Sequence, residues 1–219
     1  MGTHTMIPDP TWILRITHVD NLSTALQQGG ICAPNTTLPS GIPYKPIHHQ
    51  HIQNRRSNAS VPCGPRGTVH DYVPFYFAPR SPMLYAIYKG NVAGYSEGQE
   101  PLIYLVANAQ EVARSGVGFV FTDGHAAMAP LTDFYDDLID LDRVDWTVMR
   151  SKWWNDTPQT PDRRRRRQAE FMIHRFCPWP LIQGVAVMSD LMRSHVEAIL
   201  SQFVDLPHPI VKVKRLWYY

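Results

Sequence analysis

Cysteine, glutamate, lysine and long apolar runs are all scarce in this chain, and each shortage excludes something. Three cysteines, Cys32, Cys63 and Cys177, are odd in number and share no ligand-like spacing. They read as reduced thiols of a cytoplasmic protein, neither a disulfide framework nor a zinc site. No apolar run approaches the ~18 residues of a membrane span, so no membrane association is expected. Residues 1–10 lack a basic region followed by an apolar stretch, so no secretory signal is expected either. The usual enzyme fingerprints are missing as well. There is no Gly-x-Gly-x-x-Gly after a strand, no P-loop, no Gly-x-Ser-x-Gly elbow and no His-Glu-x-x-His.

What is present describes a folded chain rich in loops. Of 219 residues, 44% are hydrophobic and 11% aromatic, which argues against disorder although only 18% are charged. Nineteen prolines and 13 glycines without a repeat exclude a fibre. Trp12–Ile16 has the look of a short strand, and Leu22, Ala25 and Leu26 have helical spacing behind Asp20 or Asn21 as a cap. Gly29-Gly30 ends that helix. Further strands are expected in Val69–Phe77, Pro101–Val106, Gly118–Thr122, Trp179–Val187 and Ile210–Lys214. Helices are expected in Ser81–Ile87, Ala109–Ser115 and Leu191–Phe203. Residues 131–139 read as helical or turn-like. Residues 163–174 hold helix formers, although charge repulsion in the first turn opposes a helix. Strands and helices intermix without βαβ alternation, so the expectation is one α+β domain over residues 1–219.

Two features carry chemical information. Arginines outnumber lysines, 16 to five, as suits planar gripping of phosphates or carboxylates. Acid and base are segregated: six aspartates lie between Asp133 and Asp145, and Arg163–Arg167 is an unbroken run. Such a run is either a solvated face or a nucleic-acid footprint. Among five glutamates, only Glu170 sits inside an apolar run, Ala169–Ile173. It is either a structural partner of an arginine or a carboxylate poised in a pocket. His48, His49 and His51 share one polar loop, where a metal would need a further ligand; the expectation is no metal.

These segments together resemble one family. His18–Leu22, Ile52–Arg56, Val61–Gly67, the long block His70–Tyr85, Phe121–Ala127 and Arg167–Phe171 are similar to the DarT-type DNA ADP-ribosyltransferase toxins. The resemblance implies an ADP-ribosyltransferase fold, a split β-sheet with helices around an NAD cleft. It implies NAD as co-substrate and transfer of ADP-ribose to thymidine in single-stranded DNA, in a sequence-dependent way. A macrodomain antitoxin that reverses the modification is the implied partner. Competing readings are a transferase acting on guanosine, RNA or protein, and a non-catalytic single-strand-binding module.

The resemblance also implies roles. Glu170 and Arg56 are the implied catalytic residues, with Arg55 as the alternative to Arg56. His18, Val19, Asp20, Asn35, Arg56 and Tyr76 are the implied NAD contacts, beneath a covering loop at residues 36–61. A substrate-recognition loop spans residues 125–170. Arg80, Ser81, Pro82, Met83, Leu84, Tyr85, His125, Trp153, Trp154, Arg163 and Arg164 are the implied DNA contacts. An arginine is effectively always charged, so Arg56 suits electrostatic stabilisation of an acceptor anion better than the role of base.

Overall fold

A computed structural model describes residues 6–36, 44–47, 50–128 and 131–219, without the side chains of Gln50 and His51. Ten strands and seven helices are recognised among them, with four short 3₁₀ turns. The strands are β1 (Trp12–His18), β2 (Gly30–Cys32), β3 (Tyr72–Tyr76), β4 (Leu102–Asn108), β5 (Phe119–Thr122), β6 (Phe134–Tyr135), β7 (Glu170–His174), β8 (Phe176–Pro178), β9 (Ile182–Val187) and β10 (Ile210–Val213). The helices are α1 (Asn21–Gln27), α2 (Gln50–Asn58), α3 (Pro82–Tyr88), α4 (Ala109–Arg114), α5 (Trp146–Arg150), α6 (Arg163–Arg166) and α7 (Asp190–Leu200).

Eight strands join in the order β10-β9-β4-β1-β3-β7-β5-β6, while β2 and β8 form a separate pair. The sheet is split at its middle. β1 and β4 are in register over all seven residues, from Trp12↔Asn108 to His18↔Leu102. β1 and β3 share one pair only, Leu14↔Tyr76. Pro74 explains part of this. Its carbonyl accepts from Arg15 Nη1 at 3.1 Å, which places it towards β1. A strand residue sends its N–H and C=O the same way, so the missing proline N–H falls on the gap, where no ladder bond is lost.

Packing on both faces explains the apolar runs. In β4, Ile103, Leu105 and Ala107 enter the largest core, while Leu102 and Tyr104 enter a second one beneath α3. A strand alternates faces every residue, so a strand covered on both sides reads as continuously hydrophobic. Phe75, Phe121 and Phe171, all wholly buried, carry the first core across the other half-sheet.

The structure corrects the sequence reading in several places. Residues 163–174 are not a helix: α6 ends at Arg166 and β7 begins at Glu170. Phe171, Met172 and Ile173 are each fully buried on alternating faces, and that packing overrides their helix propensity. Residues 131–139 contribute the short strand β6 and the start of a 3₁₀ turn. Val69–Asp71 is a 3₁₀ turn ahead of β3, and Trp179–Leu181 another ahead of β9. Neither Asp20 nor Asn21 caps α1 through its side chain; buried Asn21 has other work. Gly29 does end that helix, at a left-handed φ of +66°. The span 36–61 is no plain loop, since it contains α2. His48 and His49 lie outside the described residues. Among the described residues no helix is long and apolar enough to cross a membrane.

Candidate active site

Glu170 opens β7 directly opposite Tyr76 of β3, at the end of the split. Its side chain is 1% exposed, yet both oxygens are engaged. Arg56 grips them in a fork, Nη1 to Oε1 at 2.9 Å and Nη2 to Oε2 at 2.8 Å, and the Ala126 N–H donates to Oε1 at 3.2 Å. Arg56 comes from the buried face of α2, whereas Arg55 beside it is exposed. Helical geometry alone thus separates the two arginines that the sequence left as alternatives.

Burial pushes the Glu170 carboxyl upwards, but the Arg56 guanidinium, His125 and the Ala126 amide outweigh it and hold the group below the usual carboxylate range. Burial opposes charge on Arg56 too, and Glu170 outweighs it there, so the pair is ionised. Tyr76 is driven well above its ordinary value, by burial first and then by the neighbouring carboxylate. His125 is held low, by burial first and by Arg56, against the pull of Glu170. Its Nδ1 accepts from the Ala127 N–H at 3.1 Å, so the neutral ring carries its proton on Nε2.

The loop before Glu170 is positioned by contacts that the sequence did not signal. Thr122, wholly buried, accepts the Glu170 N–H at 3.0 Å and donates to the Gly124 carbonyl at 2.7 Å. Arg165 lies across Gly124 to reach Asp123 at 3.1 Å and Asp162 at 2.9 Å. A Cβ on Gly124 would stand 2.2 Å from Arg165 Nη1. Gly124→Ala is therefore expected to displace Arg165, with a stability cost of roughly 1–3 kcal/mol and a fall in turnover as the 123–126 turn shifts. Thermal melts test this by a double-mutant cycle: Gly124→Ala in an Arg165→Ala background should cost nothing further. An additive cost would remove the steric explanation.

A cavity of about 670 Å³ is lined by this pair and by Thr24 of α1, Gln28 just after that helix and Cys32 of β2. Its walls include Glu170, Arg56, Tyr76, His125, Pro82 and Met83. Thr17 and Asn21 line it, but His18, Val19 and Asp20 do not. His18 and Asp20 support the covering segment instead, and Val19 is buried in the largest core. Asn21 brackets Lys45, donating to its carbonyl at 2.9 Å and accepting its N–H at 2.7 Å. Lys45 pairs with Asp20 at 3.2 Å and with Glu97, and His18 Nε2 meets Glu97 at 3.1 Å. Asn35 lies just outside the cavity, bonded to Asp71 at 3.0 Å, while Ala33, Pro34 and Thr36 line it. His70 and Gln53, which the sequence did not single out, are joined at 3.1 Å on the cavity wall.

The implied DNA contacts divide sharply. Ser81 is buried as the cap of α3, accepting the Leu84 N–H at 3.2 Å, and Leu84 is wholly buried in the second core. Their side chains are structural. Pro82 and Met83 face the cavity, and Tyr85 is exposed beside it. Arg80 spends Nε on the Tyr218 carbonyl at 2.9 Å. Trp154 is buried with Nε1 on Tyr219 at 2.8 Å, whereas Trp153 is 70% exposed. The arginine run is largely internal. Arg165 and Arg166 pair with aspartates, and buried Arg167 donates to the carbonyls of Val148, Met149 and Ser151 at the end of α5. Arg163 donates to Ser151 and Trp153. Arg164 is exposed and reaches the cavity. Among the described residues no group of three or more His, Cys, Asp or Glu could hold a metal ion.

A sheet parted at its centre, with an ionised acid–arginine pair at one end of the cleft, is the architecture of an ADP-ribosyltransferase. The chain belongs to the family described as "ssDNA thymidine ADP-ribosyltransferase, DarT", whose model matches residues 14–219. It is 43% identical over 212 residues to a DNA ADP-ribosyl transferase of Thermus sp. (strain 2.9), covering 97% of this chain and 98% of that one. Its fold is similar to Thermus sp. 2.9 DarT in complex with ADP-ribosylated ssDNA, at a TM-score of 0.91 and 42% identity, covering 98% and 99% of the two chains. It is also similar to Thermus sp. 2.9 DarT in complex with NAD+, at a TM-score of 0.86 and 40% identity, over 98% and 100%.

Proposed function

We propose that this protein transfers ADP-ribose from NAD to a thymidine base in single-stranded DNA, in a sequence-dependent way, with Glu170 and Arg56 carrying the chemistry. The observation behind this reading is the buried, ionised Glu170–Arg56 fork on the wall of a cavity of about 670 Å³, in a chain of the DarT family. NAD supplies the ribosyl group and nicotinamide leaves. Positive charge grows on the ribose as that bond breaks. Glu170 is fixed and ionised where it accepts from a ribose hydroxyl and stabilises that charge, an effect concentrated in the transition state. Arg56 must loosen its grip as the sugar takes up one carboxylate oxygen. It then stabilises the anion that develops on thymine as the ring nitrogen passes its proton to water and bonds the ribose carbon that nicotinamide has left. His125, neutral with its proton on Nε2, is a hydrogen-bond donor beside the same site.

Thr17, Asn21 and Tyr76 would line the dinucleotide, with His18, Asp20 and Asn35 bracing the segments around it. Met83, Tyr85, Trp153 and Arg164 would meet the DNA, with His125 at the acceptor end. In the cell this activity would be that of a cytoplasmic toxin, held in check by a macrodomain antitoxin that removes the modification; the family resemblance supports that part.

Incubation with NAD and oligonucleotides tests the reading by mass. A thymine-containing single strand should gain one ADP-ribose, and its cytosine-substituted counterpart none. Annealing a complement should suppress the reaction, because the acceptor nitrogen is then a Watson–Crick donor and flipping the base costs a few kcal/mol. Equal modification of duplex and single strand, or modification at terminal phosphates only, would overturn the base-acceptor mechanism.

A further inference from the structure

Helix α3 presents two faces to solvent beside the cleft. Pro82, Met83 and Ala86 line the cavity. Tyr85, Tyr88 and Lys89 lie on the neighbouring face, and Tyr88 is 49% exposed. Tyr88 stacks on Tyr219 with centroids 5.7 Å apart and planes 28° off parallel. Tyr85 meets Tyr219 edge-on at 5.1 Å and Trp154 at 5.9 Å. Two cations flank the group: Lys89 Nζ lies 5.2 Å from the Tyr88 centroid, and Arg80 Cζ lies 5.5 Å from that of Tyr219.

We propose that Tyr88, Tyr219 and Lys89, as a platform on the outer lip of the cleft, bind a nucleotide flanking the acceptor thymine of single-stranded DNA. This rests on the activity proposed above.

Core packing accounts poorly for the patch. Tyr85 and Tyr88 are both more than a third exposed, and among the described residues neither hydroxyl is hydrogen-bonded. Exposed rings at right angles and in parallel, edged by cations, suit a chain that is flat, apolar and polyanionic at once. Single-stranded DNA has that chemistry: bases stack on aromatic side chains whatever their identity, and phosphates follow the positive charges. Lys89 now covers the Tyr88 ring. A base stacking there would release its ammonium to a phosphate. Continuity supports the placement, because α3 carries both the cavity wall at Pro82, Met83 and Ala86 and the platform's Tyr88, so a strand with its thymine at Glu170 can leave across the lip.

The test compares two substrates, a trinucleotide with a central thymine and an oligonucleotide of about 15 nucleotides containing it. Tyr88→Ala should lower kcat/KM for the long substrate by roughly tenfold or more and leave the trinucleotide and the KM for NAD unchanged. Lys89→Gln should reduce the salt slope of binding to the long strand, followed by fluorescence anisotropy, by about one. Equal losses on both substrates would mean that Tyr88 only supports α3, and would overturn the platform. Unchanged binding of the long strand to Tyr88→Ala would overturn it too, leaving the patch to a protein partner. Should the wild-type protein transfer nothing to any oligonucleotide, the proposed activity fails. The anisotropy comparison still decides the platform.

Discussion

Glu170→Gln is expected to abolish ADP-ribosyl transfer and to cost less stability than Glu170→Ala. The amide fills the same volume and keeps one oxygen for the Ala126 N–H and Arg56 Nη1, but its NH2 faces Arg56 Nη2 and it carries no negative charge to balance the guanidinium or to oppose the growing positive charge on ribose. Removal of a preorganised electrostatic group of this kind costs on the order of 10²–10³ in kcat, and more where the charge is fully desolvated. Glu170→Ala differs in an instructive way. In the structure it would strand Arg56, which is 7% exposed, without its only acidic partner among the described residues. Breaking one side of a buried pair costs roughly 3–5 kcal/mol. Both variants should therefore lose activity and melting temperature, and the alanine variant, which also leaves the Arg56 donors without any acceptor among the described residues, should lose more of the latter. Mass detection of ADP-ribosylated oligonucleotide and thermal melts separate the two. A glutamine variant with near wild-type turnover would remove Glu170 from the chemistry.

The second large effect is expected at Arg56. In the wild type the Glu170 carboxyl sits below its ordinary value because Arg56, His125 and Ala126 outweigh burial. A depressed acid contributes stability that is fully present above its unfolded value, about 4.3, and is lost as pH falls through the folded value. Arg56→Ala removes the main opponent of burial, so the folded value moves above the unfolded one. The sign then reverses: the group's contribution is present below the unfolded value and is lost as pH rises through the folded one. The variant should be least impaired in acid and most impaired near neutrality, with a loss there of roughly 3–5 kcal/mol from the uncompensated carboxylate. Melting temperatures of both proteins between about pH 3 and 8 check this. A deficit constant with pH would mean that Arg56 does not hold the ionisation of Glu170. Transfer should fall sharply, and Arg56→Lys should recover only part of it, because an ammonium cannot make the two-point grip.

Much of this protein was legible in its sequence, and the rest for physical reasons was not. Local pattern was enough for β1, β4, β5, β10, α1, α3, α4 and α7, whose apolar spacing and caps act over neighbouring residues. The Ser81 cap with Pro82 at the first turn of α3 is such a case. An apolar run around a lone glutamate singled out Glu170, and the His70–Tyr85 block pointed to the family. Local pattern misjudged β7, because helix formers yield to burial on both faces of a central strand, and that burial exists only once β3 and β5 flank it.

The arginine run shows the same limit in charge. Five consecutive arginines look like a footprint for phosphate, but Arg165, Arg166 and Arg167 are consumed by aspartates and carbonyls up to 88 residues away. Composition and short-range order thus pointed to the class of fold, the family and Glu170 as the candidate catalytic carboxylate. Tertiary structure alone decided which arginine of the 55–56 pair meets Glu170, which of the implied DNA contacts are free to touch DNA, and that the pair is ionised. Those outcomes depend on distances between segments far apart in the chain and on the exclusion of water between them. Neither quantity exists until the two half-sheets have closed on the cleft.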